Sequence, residues 1–284
     1  MLTALAQRRV IEERVALVVA HPDDETIAAG GSLHLLRNLL LVQVTDGAPR
    51  RLDDAARAGF ATPEAYAAAR TEELDAALAL SGADPAREAL GVPDQDAILA
   101  VPEIAARLRE LFRGHGTRFV LTHAYEGGHP DHDAVALAVH LAAEGREVFD
   151  FPLYHAGPDG EMRTGVFLEP SPAGGRGLGE GGPGGAALTP ALSRREREKL
   201  GEVAVELSPH DRARKADMLG CFRTQAAILS QFDIRQERFR TAPAYDFTAP
   251  PHPGPLNYEN WGWSMTGTEW RKRAEAALGA RCAS

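Results

Sequence analysis

Cysteine is nearly absent: Cys221 and Cys282 are the only two in 284 residues, the second almost at the chain's end. Two such residues make no disulfide framework, which fits a reducing compartment. An excess of positive charge is also lacking, because 31 Lys plus Arg stand against 40 Asp plus Glu, for a net charge of −9. Nucleic-acid binding rests on clustered cations that neutralise phosphates, so DNA and RNA are not expected partners. Anionic membrane surfaces are disfavoured for the same reason. No apolar run approaches the ~18 residues of a membrane span. The opening "MLTALAQRRVIEERVALVVA" lacks a basic start, a long apolar stretch and a small-residue cleavage site. It reads as a short helix running into a strand rather than a signal peptide, and a cytoplasmic location is expected.

What is present is an ordinary globular composition, 44% hydrophobic and 25% charged. Short β-branched runs alternate with longer helical patterns, the signature of βαβ units on a mostly parallel sheet. Strands are expected at "VALVVA" (15–20), "LLLVQVT" (39–45), "RFVLTH" (118–123) and "EVFDFPLY" (147–154). Helices are expected at 62–82, with Thr62 as N-cap, Pro63 at the first position and Gly82 as stop, and at 102–116. Ser208 and Pro209 open another helix, whose Ala213, Ala216, Leu219, Phe222, Ala226 and Leu229 recur at helical spacing and should face the core. Cys221 lies beside that stripe and is expected to be inert. The segment "SPAGGRGLGEGGPGG" has eight glycines in fifteen positions. It cannot bury enough apolar surface to offset its ordering entropy, so 171–200 reads as a disordered insertion in a single domain spanning 1–284.

The first chemical signal is "AHPDDETIAAGG" (20–31), where a buried strand empties into three consecutive acids. Helix N-capping by Asp23, Asp24 and Glu25 competes evenly with a metal site on those acids alone. His21 tips the balance, since a His and an Asp three positions apart at a strand-to-helix turn can aim at one point, and N/O donors suit Zn²⁺ or another first-row divalent metal. A catalytic metal takes about three protein ligands and an open position. "HAYEGGHPDHDA" (123–134) offers the remainder through His129, Asp131, His132 and Asp133, directly after another expected strand. Both clusters thus fall at the carboxyl ends of parallel strands, the edge where open α/β folds bind ligands.

"AHPDDE" followed by "GHPDH" resembles the LmbE-like, or PIG-L, family of metal-dependent N-deacetylases. The likeness extends to "TDGAPR" (45–50), "ARTEELDAALALSG" (69–82) and "KADMLGCFRTQ" (215–225). The resemblance implies a Rossmann-like three-layer α/β sandwich that removes an acetyl group from an N-acetylated amino sugar or its conjugate. It implies His21, Asp24 and His132 as ligands of Zn²⁺, with Fe²⁺ or another divalent ion open. It further implies Asp23 as general base, His129 as stabiliser of the tetrahedral oxyanion and Asp131 as the group that orients or charge-balances His129. Some members carry a tyrosine two residues before the first His of the second motif, where this chain has Gly127; Tyr125 is a candidate replacement.

Weaker candidates have bland readings of equal weight. Asp46 can contact substrate or simply make an Asp-Gly turn. Arg50 and Arg70 can grip substrate hydroxyls or pair on the surface. Asp94 can read a sugar hydroxyl or cap a turn, and His123 can act at substrate or behind the ligands. "NYENWGW" (257–263) reads as core or subunit packing ahead of a sugar-pocket wall. His34, His115 and His140 read as structural, and "GGSLHLL" lacks the spacing of a phosphate loop. The expected partner is a small N-acylated substrate, with no nucleic acid and no membrane, and a homo-oligomer stays open. The alternatives are hydrolysis of a non-sugar N-acyl amide and a silent metal-dependent sugar-binding module.

Overall fold

The computed structural model describes residues 1–168 and 201–281. Cys282 and the expected insertion at 171–200 lie outside the described residues.

Five strands run parallel: β1 (Ile11–Val19), β2 (Leu36–Pro49), β3 (Ala86–Asp94), β4 (Phe119–His123) and β5 (Glu147–Phe151). With β8 (Val203–Glu206) and β9 (Gln236–Thr241) they make a seven-stranded sheet of order β3-β2-β1-β4-β5-β9-β8, in which β9 runs antiparallel to both its neighbours. A separate hairpin pairs β6 (Tyr154–Ala156) with β7 (Met162–Thr164). The chain runs outward from β1 through β2 to β3, then returns to β4 on β1's other side. The order therefore reverses between β1 and β4, and ligands of open α/β sheets bind at such a switch point.

The sheet is covered on both faces, which is why its central strands read as continuous apolar runs. On one face Ala16, Val18, Val42 and Val120 pack with α5 (Val101–His115), α6 (Pro130–Ala142) and α10 (Gly267–Arg281). On the other, Val15, Leu17, Val19 and Leu41 pack with α1 (Leu2–Ala6), α2 (Asp24–Ala29), α4 (Pro63–Leu80) and α7 (Pro209–Leu219). The three-layer α/β sandwich expected from the sequence is thus observed.

Helix ends follow local chemistry. The Thr62 hydroxyl accepts from the Ala65 N–H at 3.2 Å and Pro63 opens α4. Ser208 caps α7 through the Asp211 N–H at 3.1 Å. Gly116 closes α5 in the left-handed conformation, φ 70°.

Three expectations need correction. β1 and β2 extend beyond the apolar runs, and β8 and β9 were not foreseen, β8 because it is only four residues long and β9 because polar residues dominate it. The helix after Ser208 ends at Leu219; Phe222 and Leu229 reach the core only through the following turn and α8 (Ala226–Leu229). Ala213 and Ala216 face solvent, and the buried face carries Asp211, Lys215 and Met218 instead.

Candidate active site

β1 delivers its chain into the turn His21–Pro22–Asp23 and then α2. Asp23 adopts φ 130°, a left-handed conformation that an L side chain rarely takes. Its neighbours hold it there. The Arg70 guanidinium donates to the Pro22 carbonyl at 2.7 Å, to Gly47 O at 2.7 Å and to the Asp23 carboxylate at 2.8 Å. The Asp23 N–H donates to buried Glu25 at 3.1 Å. The Asp23 side chain makes no capping bond to α2, so the helix-cap explanation of this acid fails.

The second motif arrives from β4, with His129 at the N-cap of α6. Although 111 residues separate them, His21 Nδ1 and His132 Nε2 lie 3.2 Å apart. The Asp24 carboxylate is 3.4 Å from each of these nitrogens. Two imidazole nitrogens and a carboxylate therefore converge in a buried spot. The far nitrogen of His21 faces two carboxylates, Asp94 at 3.2 Å and Asp131 at 3.4 Å. Carboxylates accept, so Nε2 holds a proton toward them, and Nδ1 is the nitrogen turned toward Asp24 and His132. A cation there would take the place of an Nδ1 proton.

Donor atoms of three other combinations, His21–His129–His132, His21–Asp94–His129–Asp131 and Asp24–His123–His132, lie within 4.8 Å of one another. Each has a competing bond. His123 Nε2 accepts the Ala20 N–H at 2.9 Å, and His129 Nδ1 accepts the Asp131 N–H at 3.1 Å. The latter bond places the His129 proton on Nε2, which lies 3.7 Å from Asp94. His129 is thus a neutral N–H donor facing the cavity. Burial, reinforced by His21, holds its pKa well below the ordinary imidazole value. The expected role of Asp131 changes accordingly. Its backbone N–H orients His129, while its carboxylate braces His21 and accepts from Gln95 N at 2.6 Å and Ala97 N at 3.1 Å.

Burial pushes the Asp23 carboxyl up to about 8, against the opposing pull of Arg70 and with a further push from Asp24. Asp24 is also buried, yet His132 and His123 hold it well below the usual carboxylate range. Two adjacent acids are thereby driven in opposite directions, one toward proton exchange near neutrality and the other toward permanent charge.

These groups line a cavity of about 780 Å³. Asp94 lies on its wall, and Arg70 also lines it, with both terminal nitrogens engaged by Gly47, Pro22 and Asp23. Arg70 thus holds the Asp23 carboxylate rather than presenting a free terminal nitrogen to the cavity. Asp46 and Arg50 pair with each other at 2.6 Å beside the turn and do not line the cavity; Arg51 and Arg57 do. His123 sits beneath the site, stacked on His132 with ring centroids 4.2 Å apart, and does not reach the cavity.

Tyr125 does not replace the missing tyrosine. It is buried against Trp270 and donates its hydroxyl to Ala249 O at 2.9 Å. Gly127 itself has φ 69°, and a Cβ there would come within 2.7 Å of Leu256, so the loop around 251–256 occupies the space a side chain would need. The cavity's aromatic groups come from elsewhere. Trp261 and Trp263 of "NYENWGW" line it, contrary to the packing expectation, whereas Tyr258 is buried. Tyr154 was not foreseen. Its sequence signal is its place three residues after the carboxyl end of β5, on the same sheet edge as both motifs.

The family model described as PIG-L, GlcNAc-PI de-N-acetylase, matches residues 16–143, a span holding both motifs. The "Probable N-acetyl-alpha-D-glucosaminyl L-malate deacetylase 2" of Bacillus cereus is 29% identical over 167 residues, covering 56% of this chain and 74% of that protein. Among solved structures, the A40926 pseudoaglycone deacetylase superposes with a TM-score of 0.59 at 19% identity, covering 83% of this chain and 99% of that one. The zinc-inhibited form of a teicoplanin deacetylase does so with a TM-score of 0.55 at 16% identity, covering 80% and 97%. At these identities the structural likeness is one of fold. Both histidine–aspartate motifs lie inside the matched span, so over residues 16–143 the chain is similar to the PIG-L, or LmbE-like, family of deacetylases.

Proposed function

We propose that this protein hydrolyses the N-acetyl group of an N-acetylated amino sugar or its conjugate, using a divalent metal held by His21, Asp24 and His132. The observation that carries this reading is the convergence of those three donors, 3.2–3.4 Å apart, beside a buried acid and a neutral N–H-donating histidine. An N₂O donor set with the His21 proton directed away from it fits Zn²⁺, our assignment for the native ion; Fe²⁺ accepts the same donors. Such a cation, when bound, supplies Lewis acidity toward water and an amide carbonyl.

The chain's own groups divide the remaining work. Asp23 takes a proton from the attacking water and returns it to the departing amine, for which a pKa near neutrality is suited. Arg70 holds that carboxylate in place. His129 Nε2–H donates to the negative oxygen that develops on the carbonyl carbon, and its neutral tautomer is fixed before reaction by the α6 N-terminus. Asp94 faces the cavity as an acceptor for a sugar hydroxyl. The sheet carries both motifs on one edge, so we assign the activity to a single domain with a small N-acylated compound as its partner. Among the described residues no helix is long and apolar enough to cross a membrane.

A silent sugar-binding module explains less. Binding alone requires neither a buried acid held at a left-handed φ nor a pre-set donor. The deciding experiment is release of free amine from N-acetylglucosamine and its glycosides by protein of defined metal content. Metal-loaded protein that releases no amine from any N-acetylated amino sugar would overturn the assignment.

A further inference from the structure

A single N-acetylated hexose fills only part of a cavity of about 780 Å³, a size at which pockets enclose drug-sized ligands. The remaining lining includes Arg51, Arg57 and Gln95. It also includes a continuous aromatic arc. Phe232 contacts Tyr154 at 6.3 Å between centroids, Tyr154 contacts Trp261 at 5.7 Å, and Trp261 contacts Trp263 at 5.1 Å. Both ends of the arc's inner part rest on the reaction centre, Tyr154 on His132 at 5.2 Å and Trp263 edge-on to His129 at 4.8 Å. Ile27 and Ile228 extend the same apolar wall.

Trp261 is the telling member, with 41% of its surface exposed. The other exposed large hydrophobic residues among those described, Val10, Leu80, Leu99 and Val166, do not line the cavity. An indole left open to water inside a concave site, continuous with two further aromatic rings, is the form of a binding surface for an apolar group.

Resting on the deacetylase reading above, we propose that this arc receives an apolar or aromatic substituent of the N-acyl amino sugar, so that the preferred substrate is amphipathic rather than a bare monosaccharide. Trp261 sets this preference. The substituent has two chemical sources, the glycosidic position and the acyl chain, and paired substrates separate them. One pair is the methyl and phenyl β-glycosides of N-acetylglucosamine. The other is methyl glucosaminide carrying N-acetyl or N-octanoyl.

The expected result is a kcat/KM about tenfold or more higher for the apolar member of one pair, as burial of an aromatic or alkyl group should give. Trp261→Ala should collapse that ratio toward unity, and Trp261→Phe should restore part of it. Equal kcat/KM within both pairs, or a ratio unchanged in Trp261→Ala, overturns the proposal while leaving the deacetylase reading standing. Should no N-acyl amino sugar be turned over, the deacetylase reading fails and the arc is judged by binding. Phenyl β-glucoside should then quench tryptophan fluorescence at far lower concentration than methyl β-glucoside. Equal quenching by the two would overturn the arc as well.

Discussion

Asp23 combines four constraints in one residue: a left-handed backbone, burial at the cavity wall, an arginine at 2.8 Å and a neighbouring carboxylate pushed the other way. Strain of this kind persists only where surrounding bonds over-determine it, here the Arg70 and Glu25 contacts. Asp23→Asn keeps the shape and the three metal donors but removes the proton acceptor. It should retain metal by elemental analysis and lose about 10²- to 10⁴-fold in kcat. Near-normal turnover would show that the proton leaves by another route. Arg70 opposes the burial that raises Asp23. Replacing it with methionine should raise the Asp23 pKa further, so that the base stays protonated to higher pH. The acidic limb of the kcat/KM profile should move upward in pH in Arg70→Met, with metal content unchanged. An unmoved limb would separate Arg70 from the base. Of these features the sequence showed the residue types but not the φ of Asp23, and not the tautomer of His129, which depends on a backbone N–H two residues away in a helix start.

Elements were legible where their burial is uniform. β1, β2 and β4 lie under helices on both faces and so read as apolar runs, and the acid-rich turns that follow β1 and β4 stood out against that background. The face of α7 was not legible, because hydrophobic spacing cannot reveal an ion pair that is itself the buried contact. Lys215 Nζ donates to Glu237 at 2.9 Å and to Ile27 O at 2.7 Å. Glu237 also accepts from Gly31 N at 2.7 Å and the Ser32 hydroxyl at 2.5 Å. The pair thus ties α7 and β9 to the residues that follow α2, the helix carrying Asp24. Breaking such a pair leaves a buried charge without its partner and costs about 3–5 kcal/mol. Lys215→Met should therefore lower Tm sharply, and Lys215→Met combined with Glu237→Gln should recover a substantial part of the loss. A double variant as unstable as the sum of the two singles would show that the charges act independently. Recovery of this kind separates an electrostatic tie from simple packing.

At the scale of the whole molecule, the strand order decides that the site exists. Because the chain leaves β1 in one direction and returns at β4 on its other side, His21 and His132 meet across 111 residues at the reversal point. Pairing by strand-end position was readable from sequence, since both motifs follow apolar runs. The cavity's aromatic wall was not, because Tyr154, Phe232 and Trp261 come from segments after β5, α8 and the loop at 250–256, whose convergence no local pattern encodes. The meeting of the two motifs has a thermodynamic consequence. Three donors drawn from β1's turn, α2 and α6 are assembled only in the folded chain, so a metal held there binds the native state alone. Free metal at 100 times its Kd would add about 2.7 kcal/mol to stability, and at 1,000 times about 4.1. A strong chelator should therefore lower the Tm of the metal-loaded protein by several degrees, reversibly on adding Zn²⁺. In His132→Ala, where the ligand from α6 is gone, the same chelator should shift Tm little and metal occupancy should already be low. A chelator-induced shift of equal size in both proteins would place the metal somewhere other than the junction of the two motifs.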